Sequence, residues 1–253
     1  MSKTVLITGA ARRIGKRIAL YLASEGYSIV VHYNRSQADA EAVVADIVAD
    51  GGRAVSVQAD LRDQAAVSSL IGQAESALGT PLDVLINNAS VFEDDKLGGL
   101  DPDLWDTHMA LHVKAPVFLA EAFAASVGSR DAEGVIINII DQRVWKLTPQ
   151  FFSYTLSKSA LMTATKTMAQ SLAPAIRVNA IGPGPTLSNQ RQSMADFQKQ
   201  ASSVLLERPS KPMDIARTAQ YLIEMPSVTG QMIAVDSGQH LNWYTADVVG
   251  ISE

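Results

Sequence analysis

An α/β fold built on a parallel sheet is predicted by three features of this 253-residue chain. Short apolar runs alternate with helix-length stretches from end to end, which is the pattern of strand–helix–strand units. Several of these runs are continuously apolar rather than alternating, as strands covered on both faces are. A glycine turn joins the first run to the first helix-like stretch.

The strand-like runs are Val5–Thr8, Ile29–Tyr33, Val55–Gln58, Val84–Asn87, Val135–Ile140, Arg177–Ile181 and Met232–Asp236. Helix-like stretches fall at Ile14–Glu25, Ala38–Ala49, Gln64–Leu78, Trp105–Ala125, Ser153–Leu172 and Ile215–Glu224. No composition break marks a second domain, so 1–253 reads as a single catalytic domain. The widest departure is 184–208, a polar segment with apolar residues at helical spacing. It reads as a loop/helix insertion covering the substrate at the carboxyl ends of the strands.

Composition narrows the function classes. The net charge of -5 and the lack of a dense basic stripe argue against nucleic-acid binding. With no cysteine, disulfides and thiolate chemistry are excluded. The four histidines show no metal-ligand spacing, so no metal is expected. The N-terminus runs directly into a strand-like segment and no long apolar run suggests a membrane span, so a soluble cytoplasmic protein is expected.

The first strand leads into Thr8-Gly9-Ala10-Ala11-Arg12-Arg13-Ile14-Gly15. Glycine at a strand-to-helix turn lets backbone approach a phosphate, which the helix N-terminus attracts. The G-x-G-x-x-G spacing is absent, and Arg13 stands at its internal glycine position. Strand two ends His32-Tyr33-Asn34-Arg35-Ser36, without the carboxylate that usually binds ribose hydroxyls in NAD sites. Arg35 and Ser36, with Arg13 facing them from the first turn, suit the 2′-phosphate of NADPH/NADP+. Asp60 is placed either to bond the adenine amine or to cap the next helix.

Tyr154 and Lys158 lie four apart in a helix-like stretch and so share a face. A lysine beside a phenol lowers the phenol's pKa, and a poised tyrosine can give or take a proton. Asp141, at the end of strand five, adds a third polar group.

Thr8-Gly9…Gly15, Asp60-Leu61, Asn87-Asn88-Ala89, Tyr154-x-x-x-Lys158, Pro183-Gly184 and Thr229-Gly230…Val235-Asp236 together resemble the classical short-chain dehydrogenases/reductases across nearly the whole chain. The resemblance implies a three-layer Rossmann fold with a seven-stranded parallel sheet in the order 3-2-1-4-5-6-7. It assigns the cofactor to Gly9, Arg13 and Ile14, to Tyr33, Asn34, Arg35 and Ser36, and to Asp60 and Leu61. Asn87, Asn88 and Ala89 would line the cofactor at strand four, and further contacts would come from Ser90, from Tyr154 and Lys158, and from Pro183, Gly184 and Thr186. Tyr154 would be the catalytic acid, and Lys158 would hold the nicotinamide ribose and tune Tyr154. Many such proteins are homotetramers, and a homotetramer is expected here.

Two positions depart from that pattern. Asp141 replaces the family's serine, and His112 replaces its asparagine. An ionised aspartate cannot donate a hydrogen bond to a carbonyl, but it suits a substrate with N–H donors. Arg13, the His32–Ser36 run, Ser90, Phe92 and Asp141 resemble the pteridine reductases. His112 and Val235-Asp236-Ser237-Gly238-Gln239-His240-Leu241 are similar to the bacterial dihydromonapterin reductase branch. The implied reaction is NADPH-dependent reduction of a dihydropterin of the monapterin, biopterin or folate type to its tetrahydro form. Arg13, Ser90, Phe92, Asp141, Trp145 and Tyr154 would then hold the pterin or folate substrate, with Phe92 stacking on its flat ring. His112 would take the asparagine's place in the proton relay, or interrupt it. A ketone or 3-oxoacyl reductase is the alternative enzyme, and a non-catalytic dinucleotide sensor the alternative class.

Overall fold

A computed structural model of the chain describes residues 3–130, 132–188, 192–245 and 249–250. Among these, seven strands form one parallel sheet: β1 (Thr4–Ile7), β2 (Ser28–Tyr33), β3 (Ala54–Gln58), β4 (Val84–Asn87), β5 (Gly134–Ile139), β6 (Ile176–Pro183) and β7 (Met232–Val235). Their order is β3-β2-β1-β4-β5-β6-β7, as the resemblance implies. The strands carry continuous apolar runs because both faces are covered. All four residues of β1 and of β4, and all six of β5, are buried.

The helices are α1 (Arg13–Ser24), α2 (Gln37–Ala49), α3 (Gln64–Leu78), α4 (Pro102–Met109), α5 (Ala115–Gly128), α6 (Phe152–Leu172), α7 (Met194–Ser202) and α8 (Pro212–Glu224). One core layer packs Ile18 and Leu22 of α1 and Leu222 of α8 against Ile7, Val31 and Ile137 of the sheet. The opposite layer joins Leu70 of α3, Leu119 and Phe123 of α5 and Ala169 of α6 to Leu6, Leu85 and Ile136. The run Pro102–Gly128 is apolar and long enough to cross a bilayer by composition. Here its Leu119, Phe123 and Val127 are buried in that second layer.

Local sequence fixes the helix ends. Asp63 Oδ1 accepts from Ala65 N at the start of α3, and Gly79 ends it with φ 71. Asp63, not Asp60, is therefore the cap. Asp101 caps α4, with Pro102 in its first turn, where a missing N–H costs nothing. Between α4 and α5 the helix widens into a π turn, Ala110–Lys114, so the predicted single helix here is two helices around a wider turn. In 184–208 the helical spacing does form a helix, α7. Residues 189–191 of that segment lie outside the described residues.

Candidate active site

The sheet order reverses direction between β1 and β4, and a crevice opens at such a point beyond the carboxyl ends of the strands. A cavity of about 730 Å³ lies there. Gly9, Arg13, Ile14, Leu61, Asn88, Ala89, Ser90, Phe92, Asp141, Tyr154, Lys158, Pro183, Gly184 and Thr186 all line it, as the sequence led us to expect. A smaller cavity of about 380 Å³ adjoins it at Gly9 and is lined by Tyr33, Asn34, Arg35 and Ser36.

The glycine turn is shaped by close packing. Gly9 has φ 64, and a Cβ there would stand 2.9 Å from Ala89 Cα. A Cβ on Gly15 would lie 2.5 Å from Asn88 Nδ2 and from Gly9 O. Asn88 Nδ2 donates to the carbonyls of Thr8 and Gly9 at 2.8 and 3.1 Å, tying β4 to the turn. Thr8 Oγ1 accepts from the N–H groups of both Asn88 and Ala89. No side chain caps the start of α1, so its first N–H groups face the cavity without an intrahelical acceptor. Such an end attracts phosphate. His32, which sequence reasoning passed over, clamps the turn from β2. Its Nδ1 accepts from Gly9 N at 3.0 Å and its Nε2 donates to Ala59 O at 3.1 Å. Burial lowers its pKa to about 4, so the ring is neutral.

Arg13 has φ 53, the left-handed conformation that the fingerprint's glycine would adopt without strain. Its guanidinium does not reach the 2′-phosphate corner. It donates to Ser188 O and Leu187 O at 2.9 and 3.2 Å, because the left-handed backbone aims it at 184–208. The arginines lining the small cavity with Arg35 are Arg12 and Arg62. Arg12 pairs with Asp39 at 2.5 Å. Asp60 does not cap α3, and it is not part of the lining of either of these two cavities. It grips Arg62 through Nε at 3.1 Å and Nη2 at 2.7 Å, and that hydrogen bonding lowers the Asp60 pKa to about 2. Arg62 follows the Asp60-Leu61 pair, and its charge was the available signal for it.

The reacting end is a cluster around Tyr154. Its hydroxyl donates to Asp141 Oδ2 at 2.9 Å, and Asp141 Oδ1 accepts from Arg143 N at 2.8 Å. Burial raises the Asp141 pKa. Tyr154 is pushed well above the usual phenol range by burial first and then by Asp141. The expected lowering of the phenol by Lys158 is therefore overturned. The ammonium lies 5.7 Å from the Tyr154 ring centroid and donates instead to Ile139 O at 2.8 Å. Burial lowers the Lys158 pKa to about 8.

Phe92 stacks on Phe151 with centroids 4.3 Å apart and meets the Tyr154 ring edge-on at 4.8 Å. Phe151, at φ 55, and Arg143, whose Cζ lies 4.7 Å from the Phe151 ring, were missed. Nothing in their local sequence distinguishes them; only the fold brings them to the cavity. Three expectations shift. Trp145 stands outside the cavity, 42% exposed, because the tight turn Gln142–Val144 carries its ring onto His240 at 5.0 Å. Asn87 is buried and its Nδ2 donates to Asn138 Oδ1, so it points into the sheet. His112 is buried behind Ser90 rather than lining the cavity.

The short chain dehydrogenase family model matches residues 3–199. The chain is 35% identical to the 3-oxoacyl-[acyl-carrier-protein] reductase FabG of Staphylococcus aureus, covering 95% of this chain and 99% of that one. It is 52% identical to the solved FolM alternative dihydrofolate reductase 1 of Brucella canis complexed with NADP. That match has a TM-score of 0.94 and covers 97% of each chain. The corresponding Brucella suis protein in complex with NADP is 53% identical, with a TM-score of 0.93, and covers 97% of this chain and 98% of that one.

Proposed function

Because the chain belongs to the short-chain dehydrogenase family, we propose that it is an NADPH-dependent oxidoreductase that reduces a dihydropterin to its tetrahydro form. The observation that carries the substrate is the Tyr154–Asp141 hydrogen bond in a cavity walled by Phe92. The similarity to the two solved dihydrofolate reductases supports the same reading.

The residues fit the dinucleotide. Gly9 and Gly15 leave a cradle that a Cβ would fill, and the uncapped start of α1 suits the diphosphate. Arg12, Arg35, Arg62 and Ser36 offer a 2′-phosphate its donors. Lys158, held by Ile139 O, keeps its other N–H groups for ribose hydroxyls. NADPH supplies the hydride when bound, and the protein's part is orientation and the proton.

That proton comes from the Tyr154–Asp141 pair. Tyr154 is held neutral, so it acts as an acid and gives its proton to the nitrogen of the C=N bond as carbon receives hydride. Asp141, with its raised pKa, is suited to return a proton to Tyr154 or to accept from the ligand's N–H groups. The two titrate together, so the acid is the pair rather than either residue. Phe92 and Phe151 give the flat ring an aromatic wall.

The segment 184–208 is the proposed cover, since Leu187, Gln192, Phe197 and Gln200 line the same cavity. A cytoplasmic homotetramer belongs to the same proposal. Exposed Leu241, Trp243 and Tyr244 are apolar surface that a second copy would cover.

The test is NADPH oxidation with 7,8-dihydropterins and, separately, with an acetoacetyl thioester. Turnover of the pterins supports the reading. Turnover of the thioester alone would replace it with the activity of the FabG relatives.

A further inference from the structure

His112 takes no part in the proton transfer just described, yet it is buried and bonded on both ring nitrogens. The π turn Ala110–Lys114 carries it behind Ser90, whose exposed side chain faces the cavity. Its hydrogen bonds fix its tautomer. Val91 N–H donates to His112 Nε2 at 3.3 Å, so Nε2 is the unprotonated nitrogen. The proton is then on Nδ1, which donates to Ser157 Oγ at 2.8 Å. Ser157 in turn gives its own proton to Tyr154 O at 2.7 Å.

Ser90 Oγ lies 2.9 Å from the same Nε2. With no proton on that nitrogen, the serine donates to it at 2.9 Å rather than to Val91 O at 3.4 Å. Its lone pairs are left to face the cavity.

We propose that His112 is a positioning residue that fixes the direction of the Ser90 hydrogen bond, so that Ser90 meets the ligand as an acceptor and the cavity favours a ring edge bearing N–H over one bearing a carbonyl. The dihydropterin reading enters this inference only as the identity of the ring.

The surroundings keep the ring in that state. His108 of α4 stacks on it at 5.4 Å, Tyr154 meets it edge-on at 5.3 Å, and Lys158 repels a proton from it. Burial is the largest cause holding His112 well below its usual range, and it stays neutral through the working pH. Asp95 acts on His108, while Asp141 and Arg143 act on Tyr154. Ser90 also reaches Tyr154, whose pKa it lowers, so the direction of its proton bears on the phenol as well.

Nitrogen-15 NMR of the unmodified, histidine-labelled protein tests the tautomer directly. The His112 resonance is expected in the Nδ1–H form, and an Nε2–H form would overturn the inference. Kinetics test its consequence with 7,8-dihydropterin and 7,8-dihydrolumazine, whose 2-oxo group replaces the 2-amino donor. His112→Phe and Ser90→Ala are each expected to shrink the preference for the pterin about tenfold through KM. The double variant should lose no more than either single one, because both remove one interaction.

In His112→Phe the freed Ser90 hydroxyl can donate to Tyr154. The basic limb of the kcat profile therefore moves to lower pH, and Ser90→Ala in the same chain moves it back. Additive losses, or a limb that shifts equally in the double variant, would reject the role. If neither ring compound turns over, the proposed substrate fails, and the tautomer measurement alone decides the role of His112.

Discussion

Tyr154 Oη and Asp141 Oδ2 are hydrogen-bonded at 2.9 Å, with the phenol donating. The carboxyl raises the phenol and is itself raised by burial, so neither ionises where it would alone. Asp141→Ser removes both the negative charge and the acceptor. Its expected result is a loss of about 10- to 100-fold in kcat/KM for a dihydropterin, the range of one charge-assisted hydrogen bond. The basic limb of the pH–rate profile should move down at the same time, because Tyr154 then ionises more readily. Unchanged turnover and an unmoved limb would remove Asp141 from the mechanism.

Arg35 lines the small cavity with Arg12, Arg62 and Ser36. Arg35→Ala is expected to weaken NADPH about 10-fold or more while leaving NADH nearly unchanged. Fluorescence titration with the two dinucleotides reads the difference. An equal loss for both would mean that Arg35 serves the fold and not the 2′-phosphate.

Arg13 sits at φ 53 and bonds the carbonyls of Leu187 and Ser188. Arg13→Gly removes a left-handed non-glycine residue, worth about 1 kcal/mol. It also removes the tether to 184–208. The expected outcome is a melting temperature that holds or rises, together with faster proteolysis within that segment. A clear fall in melting temperature would show that the tether outweighs the strain.

His32 is neutral and buried, with its pKa lowered to about 4 from the ordinary 6.5. In the unfolded chain it takes up a proton near its ordinary value. The stability it confers is therefore complete above pH 6.5 and declines as the pH falls from there, with the loss complete below pH 4. The total is about 3 kcal/mol. Urea unfolding at pH 7.5 and pH 5 should show this decline, and His32→Asn should flatten it. An equally steep decline in the variant would assign it to other groups.

Much of this molecule is legible from the sequence because period and burial agree. The runs at Val84–Asn87 and Gln64–Leu78 form the strand and helix they announce, since nothing in the fold competes with those local preferences. The site is legible where a residue stands next to a glycine turn or at a strand end, as Gly9, Asn88 and Asp141 do. It is not legible where side-chain direction decides. Trp145 and Arg143 are two residues apart, and one tight turn sends the arginine to the cavity and the tryptophan to the surface. Arg12 and Arg13 are neighbours of equal charge, and only the positive φ of Arg13 separates their destinations. The pKa of Tyr154 followed burial rather than the nearby lysine, and burial is a property of the whole fold.

The widened turn at Ala110–Lys114 bears on how this chain can be lined up with its relatives. An α-helix rotates about 100° per residue. A π turn absorbs one extra residue, so a relative with one residue fewer here would regain regular winding while the helices on either side keep their facing. Position-by-position alignment through this stretch can then pair residues that occupy different places in space. The true counterpart of His112 must be sought by its place behind Ser90, not by its column.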